Sequence, residues 1–153
     1  MTFSFVCRTE SSLPRAQLFD RARSIDLHLE SQHGSGERAV KGVTSGLIEQ
    51  GQEVTWRAWH FGIPLAMTSR ITEMNMPESF TDEQVRGPFR SFRHVHEFEA
   101  TPHGSAMVDR VEFTAPLGLL GLLAERLVGP YLERLIRRRG RFLADVNGQS
   151  GAL

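Results

Sequence analysis

Two imidazoles and one carboxylate carry the most chemistry in this 153-residue sequence. In the run Phe92-Arg-His94-Val-His96-Glu-Phe98, a strand would place Phe92, His94, His96 and Phe98 on one face. The two phenyl rings draw that face inward, and the histidines go with them. Thr101 to Gly104 reads as a hairpin turn. If the turn is tight, Ala100 stands opposite Ser105, His96 opposite Asp109 and His94 opposite Val111. A buried aspartate without a partner is costly or becomes neutral, so an inward Asp109 needs a donor, and His96 is the nearest. The pair would fix the tautomer of His96 and raise its pKa. The other ring nitrogen would then be left to bond a ligand carbonyl or move a proton.

Three other readings compete. Two buried polar residues can simply satisfy each other. In an apolar pocket they can orient a ligand. A His-x-His pair, joined by Asp109 or His60, can also gather three metal ligands, although that spacing is common and the expectation is no metal and no cofactor.

The other candidates are apolar or aromatic. Trp56 and His60 share parity with Val54 and Ala58, whereas Thr55, Arg57, Trp59 and Phe61 fall on the opposite face. A ligand would meet Phe80, Phe92, Phe98, Met107, Val111 and Phe113 on the strands, and Leu120 and Leu127 on a helix. His94, His96, Asp109, Trp56 and His60 would orient it. Met67, Met74, Met76 and Met107 are adaptable wall residues or ordinary core. His28 lies near Asp26, and His103 reads as a turn residue. Cys7 alternates with Phe3 and Phe5, which makes it a small core residue rather than a nucleophile. No nucleophile elbow, phosphate-cradling glycine loop, dinucleotide fingerprint or paired-cysteine pattern occurs.

These residues must be positioned by a recognisable series of elements. After a first strand at Phe3 to Cys7, Ser12 and Pro14 open a short helix with Leu18, Phe19 and Ala22 on its apolar stripe. Ser24 to Ser31 reads as a second short helix, with a strand left open by the alternation of Ile25, Leu27 and Leu29. Gln32 to Glu37 is a loop, and Leu47 to Glu49 a brief strand. Strands follow at Val54 to Phe61, Leu65 to Met74, around Phe80 and Asp82, Phe89 to Ala100, and Ser105 to Ala115. Leu120, Leu123, Ala124, Leu127, Tyr131, Leu135 and Phe142 then recur at helical steps across up to about seven turns, with a kink expected at Pro130. The order is strand, two helices, six strands, helix. It predicts an α+β fold in which an antiparallel sheet of about seven strands curls around the long C-terminal helix and leaves room for a cavity. Residues 1–147 form one ligand-binding domain, and 148–153 a flexible tail.

Eighteen basic residues balance eighteen acidic ones, so charge gives no reason to expect a nucleic-acid partner. The arginines at 134, 137, 138, 139 and 141 read as complements to a helix C-terminus. No apolar run reaches the roughly eighteen residues of a spanning helix, and no signal peptide is visible. With a single cysteine no internal disulfide can form, and the expected location is the cytoplasm. A homodimer is compatible with all of this.

The motifs Asp26-Leu-His28, Gly42-Val-Thr-Ser-Gly46-Leu-Ile48, Val54-Thr-Trp56, His60-Phe-Gly62, Phe80-Thr-Asp82, His94-Val-His96-Glu-Phe98, Met107-Val-Asp109 and Pro116-Leu-Gly118 resemble a bacterial branch of the START-like, or SRPBCC, superfamily. The resemblance runs from about Phe3 to Leu143. It implies a helix-grip fold with an internal cavity. Because that superfamily includes polyketide cyclases and dehydrases alongside lipid-transfer domains, it implies two functions. The first is binding or carriage of a hydrophobic small molecule (a lipid, polyketide or aromatic compound). The alternative is a cyclase or dehydrase in which His96 and Asp109 are the catalytic acid/base pair.

Overall fold

The computed structural model describes residues 2–116 and 118–147, without the side chains of 118–120 and 122. The expected tail at 148–153 therefore lies outside the described residues. Along the chain run β1 (Phe3–Ser11), α1 (Arg15–Ala22), α2 (Ile25–Ser31), a single 3-10 turn (His33–Ser35), β2 (Arg38–Gly42), β3 (Glu53–His60), β4 (Ile63–Asn75), β5 (Ser79–Arg86), β6 (Ser91–Thr101), β7 (Gly104–Thr114) and α3 (Gly118–Ala144). The strands form one antiparallel sheet in the order β1-β7-β6-β5-β4-β3-β2, curled around α3. The two short helices close one end. No described helix is long and apolar enough to cross a membrane.

Local chemistry decides two elements that periodicity left open or misplaced. At Ser24 the hydroxyl accepts from the Leu27 amide at 3.2 Å, an N-cap that makes Ile25–Ser31 a helix despite its strand-like alternation. Leu47 to Glu49 is not a strand: Leu47 makes only an isolated bridge to Ser24. The strand at this edge of the sheet is Arg38–Gly42, which pairs with β3 through a bulge between Ala39 and Lys41. Its side chains are mostly exposed, so no apolar alternation marked it. Gly42 ends it at φ +77°, where a Cβ would stand 2.2 Å from the Glu53 carbonyl oxygen.

Helix α3 keeps Ala124, Tyr131 and Leu135 of the expected stripe on the cavity but turns two of its leucines outward. Leu123 and Leu127 are 62% and 66% exposed, so Leu127 does not line the interior. The buried stripe runs instead through Gly121, Glu125, Gly129, Arg139, Gly140 and Leu143. Glycine sets this rotation. A Cβ on Gly129 would lie 2.4 Å from the Phe3 ring, and one on Gly140 2.5 Å from the Thr9 hydroxyl oxygen, so the helix backbone rests directly on β1. Larger residues at those sites would hold the helix off the sheet.

Arg139, expected to complement the C-terminus of its own helix, is instead buried, and its guanidinium donates to the Ala22 carbonyl at the end of α1 at 2.7 Å. In return Arg21 of α1 donates to the Leu143 carbonyl at the end of α3 at 2.7 Å. Each helix thus supplies the cation for the other's carbonyl end.

Candidate functional site

Because α3 sits down on β1, the gap between helix and sheet opens over the other strands. A cavity of about 390 Å³ lies there. β3, β4, β5 and β6 supply most of its sheet wall, α3 its roof, and residues of α1 and α2 one flank. Its surface is mainly apolar.

At and just behind that wall β5, β6 and β7 bring four polar residues together. The pairing is as the hairpin count gives it, with His96 opposite Asp109, His94 opposite Val111 and Ala100 opposite Ser105. On the other side Phe80 stands opposite His96 and Asp82 opposite His94. The hydrogen bonds, however, run along the diagonals. His94 Nε2 lies 2.8 Å from Asp109 Oδ1, and His96 Nε2 lies 2.7 Å from Asp82 Oδ2. Sheet twist brings one set of diagonal neighbours within reach of long side chains, which a flat register count does not capture. Two longer contacts complete the ring: His96 Nδ1 to Asp109 Oδ1 at 3.1 Å, off-axis for a hydrogen bond, and His94 Nδ1 to Asp82 Oδ2 at 3.9 Å. The imidazoles stack with centroids 3.7 Å apart, and Phe80 stacks on the far side of His96 at 4.1 Å. Asp109 is fully buried, and its Oδ2 has no partner among the described residues. Asp82, 19% exposed at its side chain, is the most open of the four.

The charges follow from this geometry. Burial pushes the Asp109 carboxyl up, but its contacts to both imidazoles win and hold it well below the usual carboxylate range. Asp82 is likewise lowered against its burial, by the His96 bond, both imidazoles and Arg139. Burial lowers His94, and the neighbouring His96 charge adds to this, so it stays below the ordinary histidine value despite Asp109. Burial also opposes charge on His96, yet its close contacts to two carboxylates outweigh it and raise the pKa.

A second polar group lies elsewhere on the cavity. His60 Nδ1 is 2.7 Å from the Tyr131 hydroxyl, and His28 bonds Glu37 at 2.6 Å while stacking on Trp56 at 4.1 Å. Burial lowers the His60 pKa, only partly offset by Glu37. Arg139 also borders the cavity, and its Nε and Nη1 have no partner among the described residues.

Of the residues expected to meet a ligand, Trp56, His60, Phe80, Phe92, His94, His96 and Phe113 border the cavity. Phe98, Met107, Asp109 and Val111 do not; all four are buried. Phe98 packs edge-on against Phe19 of α1 at 5.2 Å, with Met107 in the same core. Val111 packs with Phe5 and Cys7 on the side where α3 is seated. The side chain of Leu120 is not described, and Leu127 is turned outward. Met76 is exposed rather than a wall residue. Cys7 is core as expected, with burial pushing its thiol up to about 11. The spacing missed Asp82 as a partner and Arg139 as an interior residue. The available signals were the parity of Asp82 with Phe80, and the glycines that set the buried face of α3.

No family model matches the sequence, and no curated protein matches it. Solved structures do. TTHA0849 from Thermus thermophilus superposes with a TM-score of 0.73 at 12% identity over 94% of both chains. The di-domain ARO/CYC StfQ from the steffimycin biosynthetic pathway gives 0.72 at 12% identity, over 94% of this chain and 50% of StfQ. Ara h 8.0201 gives 0.63 at 15% identity over 95% of this chain and all of its own. Sharing a curled seven-stranded antiparallel sheet and a long C-terminal helix with these proteins along nearly its whole length, the chain has the START/SRPBCC-like helix-grip fold.

Proposed function

We propose that this protein binds a hydrophobic small molecule, of the lipid, polyketide or aromatic class, in the cavity beneath α3. One observation carries the reading: a cavity of about 390 Å³ has mainly apolar walls interrupted by a few convergent polar groups. That size and composition suit enclosure of a small ligand. The apolar body of the ligand rests on Ile71, Phe92, Phe113, Leu132 and Ile136. Its polar end faces Asp82, His94 and Arg139. Two unpartnered nitrogens of the buried Arg139 favour a ligand that brings an acceptor, a carbonyl or a carboxylate. The likeness to StfQ, an ARO/CYC protein, supports an enclosed polyketide-like guest. The single, buried cysteine supports a reducing, cytoplasmic setting.

Native mass spectrometry of gently purified protein tests this, together with displacement of anilinonaphthalene sulfonate by oleic acid. The expected result is a retained adduct or probe uptake, with oleate competing and Arg139→Met weakening the competition. Wild-type protein that carries nothing and takes up no probe refutes the reading.

A second reading rests on the position of His96, whose two ring nitrogens lie 2.7 Å from Asp82 and 3.1 Å from Asp109. An imidazole so placed, held from behind by the buried Asp109 and beside Asp82 on the cavity wall, can take or return a proton there, as a cyclase or dehydrase requires next to a carbonyl. Turnover of a polyketone that disappears in His96→Ala while binding persists supports catalysis. Undiminished turnover excludes that role.

A further inference from the structure

We propose that Asp82, His94 and His96 form a binding site for one divalent first-row transition ion on the cavity wall, with Asp109 as the carboxylate that positions both imidazoles. This goes beyond the binding of an apolar guest and does not depend on it.

The donor set is two imidazoles and one carboxylate, and one ligand atom from each lies within 4.8 Å of the other two. Three protein ligands of this kind suit zinc, iron or nickel and leave further coordination positions open. Ligand atoms at about 2.0–2.1 Å from a common ion stand roughly 3.0–3.4 Å apart. The contacts of Asp82 Oδ2, 2.7 Å to His96 Nε2 and 3.9 Å to His94 Nδ1, straddle that spacing. A sub-ångström shift of the Asp82 side chain, the most open of the four, would equalise them.

The stronger point lies behind the ligands. Metal-binding imidazoles characteristically direct their second nitrogen at a carboxylate, which fixes tautomer and ring orientation. Asp109 Oδ1 stands in this way 2.8 Å from His94 Nε2, and it lies 3.1 Å from His96 Nδ1, where a small turn of that ring would align it. With those two nitrogens protonated toward Asp109, His94 Nδ1 and His96 Nε2 are left with lone pairs on the side of Asp82. The two rings stack at 3.7 Å and Phe80 stacks on His96 at 4.1 Å, so their in-plane lone pairs would converge on one ion once one ring tilts.

The test uses the full chain stripped with a chelator, then titrated separately with Zn²⁺ by calorimetry and with Co²⁺ by visible absorption. The expected result is about one equivalent bound, with a Zn²⁺-dependent rise in melting temperature. Asp82→Asn and His94→Gln each weaken binding at least about tenfold, Asp109→Asn weakens it about 10–100-fold, and the exposed His103→Gln leaves it unchanged. Circular dichroism of each metal-free variant checks the fold, and Asp82→Asn, altering the most open member, is the variant expected to keep it. Absence of stoichiometric binding by the wild type overturns the proposal. So does wild-type affinity in folded Asp82→Asn, or loss of binding in His103→Gln. Retention of an apolar guest by native mass spectrometry stays informative in either case, so failure of the metal site and failure of ligand binding are distinguishable.

Discussion

The two polar clusters of the cavity use similar residues on different supports. Asp82, His94, His96 and Asp109 come from three adjacent strands, and the sheet ladder itself sets their spacing. Tyr131 and His60, and His28 with Glu37 and Trp56, come instead from α3, β3, α2 and the segment before β2. In the first cluster carboxylates meet imidazoles inside the protein, and His96 is raised. In the second His60 meets a neutral phenol, and burial lowers it. Adjacent strands therefore build a charged cluster whose geometry the ladder fixes, while one strand with helices and a loop builds one held by single contacts.

The widest separation is expected in stability. Asp109→Ala leaves two buried imidazoles without their shared acceptor and should cost about 3–5 kcal/mol in urea unfolding. Glu37→Gln, which removes the charge from one partly exposed pair, should cost about 1 kcal/mol or less. Equal losses would erase the distinction.

The pH response of metal-free protein should differ in sign. His96 has a raised folded pKa, so its contribution to stability is complete below the unfolded value of about 6.5 and is lost as pH rises through the folded one. His60 has a lowered folded pKa, so its contribution is present above about 6.5 and is lost as pH falls through the folded one. In an NMR titration from high pH, His96 should protonate before His60. The reverse order would break the comparison.

A similarly small effect belongs to Tyr131→Phe, which deletes one hydrogen bond to His60 and should cost about 0.5–1.5 kcal/mol by thermal denaturation. A larger loss would make the second cluster a structural unit like the first.

Much of the first cluster was legible in the sequence. Alternation around Phe92 and Phe98 and a four-residue turn place His96 opposite Asp109, because strand parity and hairpin closure are local. Asp82 stayed hidden as a partner because β4 to β6 pairing includes bulges and a connection whose length fixes no register. The diagonal bonds stayed hidden because twist belongs to the sheet and not to a strand. On α3 the leucines at 123 and 127 pointed to the wrong face, while Gly129 and Gly140 marked the true one. Hydrophobicity measures what a residue gains by burial. Close approach of two backbones depends on what a residue lacks.

By itself the sequence determined most of the elements, though not the edge strand β2, together with the inward parity of both histidines and the core position of Cys7, since each depends on period, turn chemistry or composition within a few residues. Only tertiary structure decided which diagonal bonds form, that Asp82 joins the cluster, that Arg139 is buried, and that the cavity opens over β3 to β6. Those outcomes depend on how far a helix stands from a sheet and how the sheet twists, quantities summed over segments distant in the chain.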